Sequence, residues 1–202
     1  NVNLVLPDST GTNGQALVTD GSGVLSFATV AASGGVVKNI VQTVYSGAAA
    51  LNCNNIVSGE SFIDVTGMSL NITPQDAGNK ILVEFDLNIM LRNTQIMYIN
   101  LVRIIGSNSE ILGLPNSPSG SGNANKRATQ IVSTQSSGST HFRTPCSFKF
   151  LDTPNTTNQI TYKLTIGTNN TDSSFRIAYI NREYQVNESY SSSQIMATEY
   201  DI

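Results

Sequence analysis

A long alternation of apolar and polar side chains, at residues 80–92, limits the possible folds of this chain more than any other feature. Every second residue from Ile81 to Leu91 is apolar, whereas Glu84 and Asp86 belong to the opposite row. A period of two is that of a β-strand, because successive side chains of a strand point to opposite faces of the sheet. We therefore expect a long strand with one face in a hydrophobic core and a closely specified pairing register.

The same period of two recurs along the chain, and a helical period is almost absent. It is clear at residues 160–166 and again at Phe148 and Phe150, which indicates half-buried antiparallel strands. Roughly ten short strands separated by Gly, Asn and Pro are typical of a β-sandwich or jelly roll. The predicted fold class is therefore all-β. The remaining expected strands lie near residues 36–45, 61–65, 67–72, 128–134, 174–180 and 194–202.

Residues 95–105 depart from the alternation, because apolar side chains occupy both rows. Both faces of this strand should be buried, since large apolar patches rarely stay exposed on a protein surface. One face can enter the core of the sandwich. The simplest cover for the other face is a neighbouring protomer, and the alternative is a central strand covered by loops of its own chain.

The N-terminal segment contains a compact hairpin pattern. A turn sequence, Asp20-Gly21-Ser22-Gly23, separates the short apolar runs at residues 16–18 and 24–27. An isolated two-stranded hairpin is marginal in water, and this one has few apolar side chains to bury. We therefore expect its apolar face to meet copies of itself in an oligomer. The residues expected to make that contact are Leu17, Val18, Leu25 and Phe27.

The hairpin sequence resembles an element of bacteriophage tail-fibre proteins. Residues 11–27 read G-T-N-G-Q-A-L-V-T-D-G-S-G-V-L-S-F, which is similar to the pattern G-x-x-G-Q-x-L-x-x-D-G-x-G-x-L-x-W with Phe27 in place of Trp. In appendages of tailed phages this element commonly leads from the stalk into a C-terminal head. The segments that resemble such heads are residues 38–45, 62–74, 79–83 and 195–202.

The resemblance implies a homotrimeric virion appendage with two parts. Residues 1–35 would be the stalk and trimerisation element, and residues 36–202 a jelly-roll-like β-sandwich head. The small polar Ser-Gly-Gly sequence between Ser33 and Val37 independently indicates a short flexible hinge at this boundary. The implied partners are further copies of this chain, other virion or tail proteins, and a glycan or protein on the host cell. The implied function is host attachment from the surface of the particle.

Two other functions remain open from the sequence. A head fibre or capsid decoration protein without receptor binding would share these features, and only its point of attachment to the particle would distinguish it. A secreted trimeric ligand of jelly-roll type is a further alternative. The absence of a signal-peptide pattern and the presence of the phage-like hairpin count against it.

The charge pattern argues against nucleic acid as a partner. Charged residues make up only 12% of the chain and the net charge is −3, so no basic stripe is available to neutralise a phosphate backbone. No run of about 18 apolar residues is present, which argues against insertion into a membrane. Cys53 stands between asparagines and Cys146 alternates with phenylalanines, so we expect free thiols, with one disulfide as the alternative.

The sequence lacks the residue patterns typical of catalysis. Its only histidine, His141, excludes a centre of several imidazoles, and no His or Cys pair has zinc spacing. Glu84 and Asp86 share one strand face, but such positions are roughly 7 Å apart, and we expect them to lie on a solvated face or at an interface. A glycan depolymerase would need a carboxylate pair in a groove. We therefore predict no enzyme activity, no metal and no cofactor.

One candidate receptor-binding region follows a long loop. Lys126 and Arg127 come directly after residues 113–125, which are rich in Pro, Ser and Gly. A loop of that length on a compact domain is typically functional or mobile. The two cations would join His141 and Arg143 if the strands on either side of the next loop paired as a hairpin.

A second candidate region combines tyrosines with hydrogen-bonding side chains. Arg182, Tyr184 and Tyr190 are interspersed with Asn and Gln residues. Tyrosine rings stack on sugar faces and amide side chains bind hydroxyl groups, so a glycan is the expected ligand. The alternative is that Tyr179 belongs to the core and the other residues merely cover the surface.

Overall fold

The chain forms two compact units in a computed structural model, residues Asn1–Val36 and Val37–Ile202. The structure describes residues 5–29, 35–92, 95–114, 128–134, 141–172, 176–182 and 191–202. Within these ranges every regular element is a β-strand except one short 3-10 helix, so the all-β prediction is confirmed. None of the described residues belongs to a helix long and apolar enough to cross a membrane.

Thirteen strands, numbered in chain order, make up the described part of the chain. The N-terminal unit contains β1 (Gln15–Thr19) and β2 (Leu25–Thr29), and the 3-10 helix lies at Ile56–Ser58. The remaining strands are β3 (Val36–Tyr45), β4 (Ala49–Asn52), β5 (Ile63–Ile72), β6 (Lys80–Arg92), β7 (Gln95–Ile105), β8 (Asn108–Leu112), β9 (Gln130–Thr134), β10 (His141–Asp152), β11 (Ile160–Thr168), β12 (Ile177–Ile180) and β13 (Ser193–Asp201).

The strands of the larger unit form two antiparallel sheets that pack as a β-sandwich. One sheet has the order β3-β13-β6-β12-β4, and β10 also pairs with β6. The other has the order β5-β11-β7-β8, and β9 also pairs with β7. Because β10 pairs with nearly the whole of β6, β12 and β13 lie end to end along its other side. The predicted sandwich is therefore confirmed.

The inner row of β6 is the centre of the core. Its apolar side chains, from Ile81 to Leu91, are each at most 1% exposed. They form one cluster with side chains of the second sheet, including Leu101 and Leu164. Burying a side chain of this size contributes about 1.5–3 kcal/mol relative to leaving it exposed. The alternation at residues 80–92 thus correctly identifies the strand and its buried face.

Both faces of β7 are buried, and the chain itself covers the second one. Tyr98 is 4% exposed and belongs to a separate apolar cluster with Ile56 and Ala128. Thr129, which follows Ala128, is hydrogen-bonded to β7, because the backbone N–H of Leu101 donates to Thr129 Oγ1 (2.9 Å). Residues of the same chain therefore cover the second face of β7, which was the alternative to cover by a neighbouring protomer.

A single strand, β5, forms where the sequence indicated two strands near residues 61–65 and 67–72. Gly67 has a φ of 74°, and β5 continues through it to Ile72. The register of the neighbouring strand β11 shifts between Lys163 and Thr165, close to this glycine. A Cβ atom at position 67 would collide with the ring of Tyr45, so the bulge requires glycine. The glycine bends the strand without ending it.

We predict that Leu87→Ala lowers the free energy of unfolding by about 2–5 kcal/mol, because it leaves a cavity in the core. Leu87 is 1% exposed, whereas Leu151 is 47% exposed and offers a matched control. Leu151→Ala should change the stability by no more than about 0.5 kcal/mol. Urea denaturation measures both values, and equal losses in the two variants would contradict the assignment of the inner row.

Candidate functional site

One aspartate side chain fixes the turn of the N-terminal hairpin. Asp20 Oδ1 accepts hydrogen bonds from the backbone N–H groups of Ser22 (2.8 Å) and Val24 (3.2 Å), and Oδ2 accepts one from the Ser22 hydroxyl (2.7 Å). The hydrogen bonds from Ser22 hold the pKa of Asp20 below its usual value. The D-G-x-G part of the pattern is therefore a turn capped by its own aspartate.

A close contact joins the first glycine of the pattern to its last residue. A Cβ atom at Gly11 would lie 2.7 Å from Cγ of Phe27, and Gly11 has a φ of 67°. A larger residue at position 11 would therefore displace the ring. Val5 also hydrogen-bonds to the end of the turn, through Gly23 O and the backbone N–H of Leu25, both at 3.0 Å.

The hairpin leaves much of its apolar surface exposed. Leu17 pairs with Phe27 across the strands, so these two side chains and Leu25 share one face, and Val18 lies on the other. Leu17 is 49% exposed and Val18 is 37% exposed, whereas Leu25 and Phe27 are partly buried. The four predicted contact residues therefore occupy two faces of one small unit. The other exposed large apolar side chains among the described residues of this unit are Val5 at 57%, Leu6 at 69%, Val24 at 44% and Val36 at 40%.

Of the predicted receptor-binding residues, the structure describes Arg182 alone. Its guanidinium carbon lies 5.4 Å from the centroid of the Tyr179 ring, a cation–π arrangement. Tyr179 pairs with Met90 of β6 and is 5% exposed. The others, Lys126, Arg127, Tyr184 and Tyr190, lie outside the described residues.

The hairpin that would have clustered four cationic residues does not form. β9 pairs with β7 in one sheet, and β10 pairs with β6 in the other. The condition under which Lys126 and Arg127 would join His141 and Arg143, a hairpin of β9 and β10, is therefore not met. The physical reason is that each strand pairs with a longer strand elsewhere, and β10 pairs along nearly its whole length with β6.

A series of charged and polar side chains, which we call the Arg103 network, runs from the core to the surface. Tyr162 on β11 is fully buried, and its hydroxyl donates to Asp152 Oδ2 (2.6 Å). Arg103 on β7 donates through Nη1 to Asp152 Oδ1 (2.6 Å) and through Nη2 to Glu110 on β8. The side chains of Asp152, Arg103 and Glu110 are 4%, 16% and 62% exposed. The network thus connects the two sheets and reaches solvent at Glu110.

Burial and pairing determine the protonation states of this network. Burial and the hydrogen bond to Asp152 raise the pKa of the Tyr162 phenol, which keeps it a neutral donor. Burial lowers the pKa of Arg103, but the hydrogen bond and charge of Asp152 outweigh this effect and raise it overall. The members of the network are far apart in the chain, so no local sequence pattern indicates it. Its one visible signal is a charged residue, Arg103, in an apolar strand.

A second buried carboxylate ties the loop between β5 and β6 to β13. Glu199 is 0% exposed, and its Oε1 accepts from the backbone N–H of Gln75 (2.6 Å) and from Asn79 Nδ2 (2.7 Å). Its Oε2 has no hydrogen-bond partner within the described part of the chain. Gln75 and Asn79 also line a polar cavity of about 470 Å³ with Lys38 and Asp201, whose charged atoms are 3.0 Å apart.

The two carboxylates on β6 take part in cross-strand contacts. Glu84 forms an ion pair with Lys149, and Asp86 accepts hydrogen bonds from Ser147 (2.6 Å) and Gln194 (2.8 Å). The hydrogen bond from Ser147 is the main cause that lowers the pKa of Asp86. Among the residues that the structure describes, no group of three or more His, Cys, Asp or Glu side chains could hold a metal ion.

Both cysteines are free and buried, which confirms the expectation of free thiols. Burial raises the pKa of each thiol to about 12. Cys53, although it stands between asparagines, is 3% exposed and belongs to the main core together with Cys146. A buried thiol that stays protonated is a poor nucleophile.

Comparisons with known proteins identify no family for this chain. No family model and no curated protein matches it. Among solved structures, the VP2 subviral particle of infectious bursal disease virus is similar at a TM-score of 0.35 and 12% identity, over 87% of this chain and 34% of that chain. The T13 particle of that virus gives a TM-score of 0.36 at 12% identity, over 80% of this chain and 38% of that chain. The chain thus spans less than half of these virus proteins, and TM-scores of this size establish neither a shared fold nor a shared function.

We predict that Tyr162→Phe lowers the free energy of unfolding by about 1–3 kcal/mol, because it leaves Asp152 without its buried hydroxyl donor. Tyr200, partly exposed at the end of β13, provides the control. Tyr200→Phe should cost no more than about 0.5 kcal/mol. Chemical denaturation monitored by fluorescence compares the two, and an undiminished stability of Tyr162→Phe would count against the network.

We predict that iodoacetamide leaves both thiols unmodified in the native protein at mildly alkaline pH. Their pKa values of about 12 and their burial keep the thiolate scarce and inaccessible. Mass spectrometry should detect no alkylation of the native protein and two added groups in guanidinium. Rapid labelling of either cysteine without denaturant would show that the core is more open than described.

Proposed function

We propose that this chain is a virion structural protein of the tail-fibre class, located on the surface of the particle. Its N-terminal unit assembles copies of the chain into a trimer, and the β-sandwich heads attach the virion to a glycan or protein of the host cell. The partners in this proposal are identical chains, other virion proteins and the host surface. It assigns no enzyme activity, metal or cofactor to the chain.

One observation carries the proposal: the tail-fibre-like pattern forms a unit with its own internal order and an uncovered apolar surface. Asp20 caps the turn and Phe27 lies against Gly11, so the hairpin is locally well specified. Leu17 nevertheless stays 49% exposed. A unit this small cannot bury enough apolar surface alone, and contact with the same unit of other copies would cover it. A closed symmetric assembly leaves no copy of the patch unpaired. The resemblance favours three copies.

The surface of the head suits adhesion through several weak contacts. Three of its four described lysines form ion pairs within the chain, Lys38 with Asp201, Lys149 with Glu84 and Lys163 with Asp64. Such exposed pairs add little stability, but they leave a nearly neutral, polar surface that does not repel a glycan. Linking three heads multiplies a weak affinity through effective concentration.

Five residues remain the proposed contacts with the receptor. Arg182 lies over the ring of Tyr179, two residues after the end of β12, and in the sequence it directly precedes the segment that contains Tyr184 and Tyr190. Lys126 and Arg127 directly follow residues 113–125, which are rich in Pro, Ser and Gly, in the sequence. Their shared property is the combination of cationic and aromatic groups with neighbouring amides, which can bind hydroxyl groups and sugar faces.

We predict that the labelled full chain adsorbs saturably to at least one strain in a panel of bacterial hosts, measured by flow cytometry. Replacing both tyrosines, Tyr184→Ala with Tyr190→Ala, should reduce adsorption by about tenfold or more, since the loss per head is multiplied in the assembly. The same loss is expected for Lys126→Ala with Arg127→Ala.

The matched control is Lys149→Ala, which removes an exposed lysine whose partner lies on β6. Adsorption of this variant should equal that of the unchanged chain. Equal adsorption by every variant would remove the five residues from the receptor site. Failure to bind any strain, together with absence of the chain from purified virions, would overturn the proposed function.

A further inference from the structure

The Arg103 network ends at the wall of an open cavity. The cavity has a volume of about 530 Å³, within the range of roughly 300–1,000 Å³ that is usual for small-molecule sites. It opens beside the turn between β7 and β8. Its lining residues are Arg103, Ile105, Asn108, Ser109, Glu110, Pro154 and Thr156.

Stability alone does not account for a charged network at this place. Removing Arg103 and Asp152 from water costs several kcal/mol per ion in order of magnitude, and apolar residues of similar volume often serve a core equally well. Buried, mutually paired titratable groups beside a cavity are more typical of binding sites. The position of the network therefore indicates a role for its exposed end.

The Arg103 network holds Glu110, its exposed end, in a fixed orientation. Tyr162 and Arg103 donate to different oxygens of Asp152, which prevents the carboxylate from rotating. Asp152 in turn orients the guanidinium, and the guanidinium holds Glu110 at the cavity wall. A ligand would meet donors and acceptors that are already ordered, which lowers the entropic cost of binding.

The charges of the wall select the class of ligand. One guanidinium is balanced by the two carboxylates of Asp152 and Glu110, so the cluster carries an excess of negative charge. Phosphates, sulfates and acidic sugars are therefore disfavoured. Both carboxylates already pair with Arg103, which lowers their attraction for a free amine.

The remaining wall groups fit a molecule with a polar edge and an apolar face. Ser109, Asn108 and Thr156 offer hydroxyl and amide groups. Ile105, which is partly exposed, offers apolar surface in the same cavity, and the largely buried Pro154 adds a smaller part of the wall. A sugar ring has hydroxyl groups at its edge and C–H groups on its faces, and thus matches both kinds of wall.

We propose that this cavity binds a neutral saccharide. The Arg103–Glu110 ion pair holds neighbouring hydroxyl groups, and Ile105 and Pro154 contact the C–H face of the ring. The assignment rests on the proposed attachment function, because the saccharide would belong to a glycan of the host surface.

Saturation-transfer difference NMR on the full chain tests the site, with maltose, lactose and diacetylchitobiose as neutral probes. Saturation should be transferred from the protein to at least one of these three probes. Glu110→Gln and Ser109→Ala should each weaken binding, the former by about tenfold or more because a charged hydrogen-bond acceptor is lost. Both positions are exposed, so both variants should fold, which thermal unfolding checks.

The matched control is Asp201→Asn, in the polar cavity lined by Lys38 and Gln75, and it should leave saccharide binding unchanged. No transfer to any probe, equal transfer by all variants, or loss in the control alone would overturn the assignment. Preferred binding of glucuronate or glucosamine would overturn the neutral class. If saccharide binding fails while adsorption to host cells persists, the cavity assignment fails and the attachment function stands. If a saccharide binds to the cavity but the chain adsorbs to no host strain, the cavity assignment stands and the attachment function fails.

Discussion

The inner row of β6 is the constraint on which the rest of the fold depends. Its apolar side chains enter the core from Ile81 to Leu91, and a shift by one residue would turn all of them outward. The same register places Lys149 opposite Glu84 and Gln194 opposite Asp86 on the outer face. One alternation in the sequence therefore specifies both the buried contacts and the polar pairs that join β10 and β13 to the sheet.

The two units obtain their order from different interactions. The head has a continuous core in which the most central side chains lose all contact with water. The N-terminal unit relies on local geometry, namely the Asp20 cap and the packing of Phe27 on Gly11, and it keeps Leu17 exposed. This contrast underlies the proposed function, since a unit with a specified shape and an uncovered apolar surface is suited to assembly, and a neutral, well-packed head is suited to display.

Local periodicity predicted a large part of the fold and little of the candidate site. The strands predicted at residues 36–45, 80–92 and 95–105 have the same bounds as β3, β6 and β7. Their patterns, either alternating or apolar on both faces, are visible within each strand itself. The cover of β7 by Ala128 and the pairing of β10 with β6 depend on contacts between distant segments. The Arg103 network was missed for the same reason, since a pairing of Arg103 with Asp152 leaves no local pattern.

The solution mass of the protein tests the central claim most directly. Light scattering after size exclusion would compare the full chain with a chain that lacks residues 1–35. The account predicts a mass of three chains for the full protein and of a single chain for the shortened one, since the exposed surface around Leu17 is the proposed contact. A full-length monomer at micromolar concentration, or an unchanged trimer after the deletion, would contradict it.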